Sequence, residues 1–177
     1  TLHPDRPVSM GCFHMPEIFT ETMKAKDTAL IHSKKTIVKI WNEWGRQFGR
    51  HYHPVETYRN KGAETMILTM GSMGETASVA VDELRKAGKS VGLVKIRLWR
   101  PFPLEELRAA IQGCKTLIVM DRAISFGGAG GPLATEIKSL LFHDRERPRI
   151  VDYIMGLGGR DVAVEDFIAM VERAGQK

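Results

Sequence analysis

Residues 65–98 read TMILTMGSMGETASVAVDELRKAGKSVGLVKIRL. Thr65 to Met70 is an apolar run of strand length. Gly71 and Gly74 mark a turn, and the stretch from Gly74 to Ala87 sets Ala77, Ala80, Val81 and Leu84 at helical spacing before Gly88 closes it. Val91 to Leu98 is a second apolar run. Two strands joined by a helix of this size imply a right-handed crossover and parallel pairing. Both runs are nearly continuously apolar, as expected where helices cover both faces of a sheet.

The same alternation continues towards the C-terminus. Leu104–Ile111 reads as a helix opened by Pro103 and followed by Gly113. Thr116 to Met120 is a third strand, ending at Asp121. Pro132–Phe142 reads as a helix, Arg149–Ile154 as a fourth strand and Val164–Ala174 as a last helix. Residues 64–177 are therefore predicted to form an α/β domain. Its architecture is three-layer: a mainly parallel sheet with helices on both faces. Before it, Leu30, Ile37, Trp41, Trp44 and Phe48 keep to one face of a long helix predicted over Glu17–Phe48, with Gly49 as its stop. Residues 17–63 are read as that helix and a connection. Pro4, Pro7 and Pro16 punctuate residues 1–16, which read as an interdomain linker. With no initial Met, the chain reads as processed or as a piece of something larger.

Composition is that of an ordinary globular protein, with 43% hydrophobic and 27% charged residues. The net charge of +5 is concentrated between His32 and Arg59. No aromatic-interleaved basic ribbon accompanies it, so the excess reads as a solvated helix face and not as a nucleic-acid surface. No apolar run approaches the roughly 18 residues of a membrane span. Cys12 and Cys114 lie far apart, and no C-x-x-C pair exists to hold an iron–sulfur cluster. Cys114 precedes a strand and reads as a small core residue. The cysteine usage fits a reducing cytoplasm. His51 and His53 lack an evident third metal ligand.

Four segments follow the carboxyl ends of the predicted strands, the edge where open parallel sheets form binding crevices. Gly71-Ser72-Met73-Gly74-Glu75 carries the spacing of a capping box, Ser72 to Glu75, and reads as a capped helix with a tight turn. It reads so before it reads as an anion site at a helix N-terminus, because Glu75 would compete with an anion for the same donors. Trp99-Arg100-Pro101-Phe102-Pro103 presents Arg100 and Phe102 from a proline-stiffened segment. It is either a connection with Phe102 in the core or a docking element. Asp121 to Pro132 contains Gly127, Gly128, Gly130 and Gly131 but neither a dinucleotide fingerprint nor a P-loop. Met155 to Asp161 brings further glycines and Arg160. No Ser/His/Asp set or histidine-centred metal triad can be assembled. Gly71, Ser72, Arg100, Phe102, Gly127, Gly128 and Arg160 are the candidate interface or anion-loop residues. No catalytic, cofactor-binding or metal residue is assigned.

Read together, Met70-Gly71-Ser72, the run from Gly92 to Pro103, Asp121 to Gly128, Gly131-Pro132-Leu133 and Gly156 to Val162 resemble the alpha subunit of the pyruvate:ferredoxin oxidoreductases, within the 2-oxoacid:ferredoxin oxidoreductase family. Pro7-Val8-Ser9-Met10-Gly11 resembles the segment joining that subunit's two domains. The resemblance implies a transketolase C-terminal-like fold and an assembly role in a cytoplasmic, thiamine-diphosphate-dependent enzyme. That enzyme converts pyruvate and coenzyme A to acetyl-CoA, CO₂ and reduced ferredoxin. It further implies that thiamine diphosphate, Mg²⁺, iron–sulfur clusters and coenzyme A belong to other parts of the enzyme. Partners implied are a preceding thiamine-binding domain, beta, gamma and delta-type subunits or their fused equivalents, and ferredoxin as acceptor. Where the family often opens its last helix with Thr-Pro, this chain has Ala163-Val164, leaving Asp161 as the nearest substitute cap. The glycine loop is a little longer than the family's usual form. The other readings are the equivalent domain of a transketolase or 2-oxoacid dehydrogenase component, or a stand-alone anion- or nucleotide-binding module.

Overall fold

The computed structural model describes residues 3–8 and 10–176. Ser9 of the linker motif, and residues 1, 2 and 177 of the predicted linker and domain, lie outside the described residues. The chain runs through α1 (Pro16–Phe48), β1 (Val55–Tyr58), β2 (Thr65–Met70), α2 (Met73–Lys86), β3 (Val91–Ile96), α3 (Leu104–Ala110), β4 (Thr116–Asp121), α4 (Pro132–Leu140), β5 (Arg149–Ile154) and α5 (Val164–Gly175).

The sheet order is β1-β3-β2-β4-β5. β3, β2, β4 and β5 pair in parallel, and β1 joins the β3 edge antiparallel. Successive strand residues feed opposite faces. Met66, Leu68, Val94, Ile96, Leu117 and Val119 meet Leu107 of α3 and Leu133 and Ile137 of α4. Ile67, Leu93, Ile118 and Met120 meet Ala77, Val81 and Leu84 of α2 and Phe167 and Met170 of α5. Two cores separated by one sheet make the three layers. Large side chains such as Ile67, Leu93, Ile118 and Phe167 are fully buried, each stabilising the fold by roughly 1.5–3 kcal/mol.

The order places a switch point in the centre. The connection after β2 leaves to the α2 face, and the one after β4 leaves to the α4 face. The loops after these two neighbouring strands therefore diverge at the carboxyl edge, as in other doubly wound sheets.

Three expectations need correction. The connection over residues 49–63 contains β1, where Val55, Glu56, Thr57 and Tyr58 register with Ile96, Lys95, Val94 and Leu93. Four residues with polar Glu56 and Thr57 are too short and too mixed to stand out as a strand, and pairing with β3 supplies what local pattern does not. β3 ends at Ile96 and not at Leu98, because the N–H groups of Arg97 and Leu98 both donate to the Pro54 carbonyl, at 3.0 and 3.1 Å. α4 ends at Leu140, and Phe142 N–H bonds Ser139 O at 3.3 Å in a tightened last turn.

α1 starts at Pro16 and ends at Gly49, whose φ of +68° suits a residue without Cβ. Its C-terminal half meets the rest of the molecule: Lys34 donates to Glu106 at 2.7 Å, and Trp41 packs edge-on against Tyr52. Gly45 is the helix's buried residue. The predicted apolar face is only half used, for Leu30, Trp44 and Phe48 are exposed.

Candidate functional site

The carboxyl edge of the sheet gathers the predicted residues, and the structure shows what each is bonded to. After β2, Gly71 turns the chain with a φ of +68°. Ser72 already has helical angles, and its side chain makes no cap. The expected capping box is absent. Glu75 turns to Lys95 instead, 3.0 Å away, while Gly74 and Glu75 N–H groups bond the carbonyls of Gly71 and Ser72. Gly71 and Ser72 line a cavity of about 370 Å³ with Glu75, Lys95 and Arg97.

Beneath that cavity lies a polar row that the sequence reading missed. Glu56, Lys95 and Thr69 are register partners on β1, β3 and β2. Glu56 receives two hydrogen bonds from Arg97 and lies 3.8 Å from Lys95 Nζ. The Arg97 bond and the two cations outweigh partial burial and hold the Glu56 carboxyl below its usual range. Arg97 also stacks on Tyr52, 4.7 Å from the ring centre. The signal available in sequence was Glu56 within a short β-prone stretch after Pro54, and it needed the strand to be found first.

After β3, Arg100 bonds Glu136 of α4 at 2.7 Å and its neighbour's carbonyl at 2.9 Å, and lies over the Trp99 ring. Phe102 is half-buried, edge-on to Trp99, against the α3–α4 core. Phe102 packs inward, as the connection reading expects, while Arg100 is committed within the chain and remains 44% exposed.

After β4, the glycine loop wraps around two carboxylates. Asp121 accepts from Leu133 and Ala134 N–H at 3.0 Å each, and Asp152 accepts from Gly131 N–H at 2.8 Å. A side chain on Gly131 would collide with Asp121, and one on Gly130 with Asp152. The anion at the start of α4 is thus the protein's own Asp121. Burial raises its carboxyl pKa, the two N–H bonds pull it down, and the charge of Asp152 pushes it up again. Gly127 and Gly128 form the outer turn, with Gly128 N–H on Ser125 O, and they display Phe126, which is 92% exposed.

After β5, Arg160 lines a separate cavity of about 410 Å³ with Met155, Leu157 and Asp166. It shares no lining residue with the Gly71–Ser72 cavity. The expected cap Asp161 does not serve. Asp166, in the first turn of α5, accepts the Ala163 N–H at 2.9 Å, because a carboxylate three residues on reaches back to that donor.

Among the described residues no group of three or more His, Cys, Asp or Glu side chains could hold a metal ion. Cys114 is buried, and burial pushes its thiol up to about 11. No described helix is long and apolar enough to cross a membrane.

Known proteins resemble this chain in sequence and in fold. The chain is 41% identical over 172 residues to a pyruvate synthase subunit PorA of Methanothermobacter thermautotrophicus, covering 97% of this chain and 44% of that protein. It is 39% identical over 164 residues to the Thermotoga maritima subunit of that name, covering 93% and 42%. A ketoisovalerate oxidoreductase subunit VorA of Pyrococcus horikoshii is 40% identical, covering 95% and 43%. The chain thus spans less than half the length of these relatives. Two solved structures share the fold: a 2-oxoglutarate:ferredoxin oxidoreductase from Magnetococcus marinus and a split-gene transketolase. The first has a TM-score of 0.52 and 22% identity, covering 70% of this chain and 20% of that one. The second has a TM-score of 0.53 and 18% identity, covering 71% and 43%. The model of pyruvate:ferredoxin oxidoreductase core domain II matches residues 63–167, from just before β2 into α5. The family model covers more than half of the chain and the M. thermautotrophicus relative matches nearly all of it: this chain belongs to the pyruvate:ferredoxin oxidoreductase core domain II family.

Proposed function

We propose that the chain is the C-terminal assembly domain of the alpha subunit of a thiamine-diphosphate-dependent 2-oxoacid:ferredoxin oxidoreductase. Pyruvate is the substrate, and acetyl-CoA, CO₂ and reduced ferredoxin are the products. Residues 64–177 are the domain proper, residues 17–63 its long helix and connection, and residues 1–16 the linker to a thiamine-binding domain. Beta, gamma and delta-type subunits or their fused equivalents complete a cytoplasmic enzyme. The observation that carries this reading is similarity to pyruvate synthase subunits along 97% of the chain.

The strand-end loops support a structural role within that enzyme. A diphosphate with Mg²⁺ needs free backbone donors and a carboxylate or amide set for the metal. Here the α4 donors are taken by Asp121 and Asp152, and the α5 entry by Asp166. These two helix starts therefore do not fit the thiamine diphosphate–Mg²⁺ group, which this reading places in another domain. No reaction step is assigned to this chain. Gly71, Ser72, Arg100, Phe102, Gly127, Gly128 and Arg160 shape the edge presented to neighbouring domains or subunits.

The test is reconstitution of the complete complex with and without residues 64–177. With them, pyruvate- and coenzyme-A-dependent ferredoxin reduction is expected. Without them, the complex should fail to assemble on size-exclusion chromatography. Full assembly and activity of the truncated form would overturn the assembly role. Activity with branched 2-oxoacids but not pyruvate would overturn the substrate assignment.

A further inference from the structure

α1 is much longer than the contact it makes. Its 33 residues extend roughly 50 Å at 1.5 Å per residue. Its ion pair to α3 begins only at Lys34, and no described residue from Met10 to Ser33 is buried. That free stretch is not polar. Phe13 is 85% exposed, Met10 80%, Met15 and Ile18 51% and Phe19 50%. Phe19 and Met23 are four apart on one face of the helix, with Ile18 beside them and Met15 at the N-cap before them.

The area is large for a surface left to water. A phenylalanine buries about 150–250 Å², so Phe13 and Phe19 alone expose a few hundred. With Met15, Met23 and Ile18, the exposed area of the strip falls at the upper end of the roughly 300–600 Å² of a typical monomer's largest apolar patch. Its charges are mixed, with Glu17, Glu21 and Asp27 against Lys24 and Lys26. It therefore selects an apolar partner surface, not an acidic or basic one.

We propose that this strip, from Phe13 to Met23, docks against the remaining part of the same subunit. The inference rests on the reading that the chain belongs to a longer alpha subunit. The relative from M. thermautotrophicus matches through the strip, since 97% of this chain is covered, although the core domain model begins only at residue 63. More than half of that relative's length lies outside the match. A partner on the same chain also has the advantage of effective concentration, which for a short flexible tether reaches about the millimolar range.

The test is methionine footprinting with dilute peroxide on the full-length subunit, without its partner subunits. Exposed thioethers oxidise readily. Met15 and Met23 should oxidise at least about tenfold more slowly than in the guanidinium-unfolded subunit, tenfold corresponding to 1.4 kcal/mol of protection. Phe19→Glu should restore oxidation at Met15 and Met23. Rates equal to the unfolded ones in the wild-type subunit would overturn the proposal, as would protection that appears only on adding partner subunits. Protection that rises with protein concentration would replace it with a second copy of the chain. Pyruvate-dependent ferredoxin reduction by the assembled complex is measured in parallel. Activity with unprotected methionines defeats the docking alone, whereas an inactive complex defeats the functional reading.

Discussion

Arg97 and Glu56 meet fork to fork at the end of the antiparallel β1–β3 seam, through bonds of 2.8 and 3.0 Å. The folded state holds the Glu56 carboxyl below its ordinary value, chiefly through the Arg97 bond. A lowered carboxyl pKa adds stability above the unfolded value, and that stability is lost as pH falls through the folded one. Unfolding of the wild type should therefore become easier below about pH 4.5, near the ordinary glutamate value. Glu56→Gln should be less stable at neutral pH and show a shallower loss on acidification. Urea midpoints at pH 7 and pH 4 measure both.

Asp121→Asn should weaken the start of α4. An amide keeps one acceptor but turns an NH₂ group towards a backbone donor. Hydrogen bonds to charged groups contribute about 1.5–3 kcal/mol each, so a loss of about 2 kcal/mol is expected by denaturant titration. Hydrogen exchange should quicken at Leu133 and Ala134. An unchanged midpoint would show that the carboxylate is not what holds the loop.

Thr69→Val tests the opposite sign. Thr69 is fully buried, and its hydroxyl has no hydrogen-bond partner among the described residues. A methyl of the same shape removes an unpaired polar atom without opening a cavity. The variant should be neutral or more stable by up to about 1 kcal/mol, read as a rise in thermal midpoint. Destabilisation would show that the hydroxyl has a partner.

Arg100→Ala and Phe102→Ala separate surface from core. The Arg100–Glu136 pair is partly exposed, and pairs of this kind contribute about 0–1 kcal/mol. Phe102 is half-buried against the α3–α4 core, so its loss should cost about 2–3 kcal/mol, short of the ~3–5 kcal/mol for a fully buried ring. Thermal unfolding of the two variants should rank them in that order. A loss at Arg100 as large as that at Phe102 would make the arginine structural.

The parallel body was legible because its signal is local. Val91 to Ile96 and Thr116 to Asp121 are nearly continuously apolar, and Gly88 and Gly113 end the turns before them. What escaped depends on partners distant in sequence. β1 exists because β3 offers an edge, and its residues say little alone. The caps failed for the same reason. Ser72 and Glu75 have the right spacing, but Gly71 turns the chain so that Ser72 is already helical, and Lys95 from another strand claims Glu75. The glycine loop matches neither a dinucleotide fingerprint nor a P-loop, and nothing local explains its glycines. The answer lay in Asp152, more than twenty residues beyond Gly130 and brought close only by the β4–β5 pairing.

β1 has a practical consequence for anyone dividing this protein. The family model begins at residue 63, and a cut there would remove Val55–Tyr58. β3 would then show its backbone donors and acceptors along Leu93, Val94 and Ile96, three apolar and deeply buried residues. An unpaired, hydrophobic strand of that kind is a template for association with other chains. Residues 55–58 act as a selvage on the sheet, and a soluble domain should be taken from before Pro54, whose carbonyl also closes the end of β3.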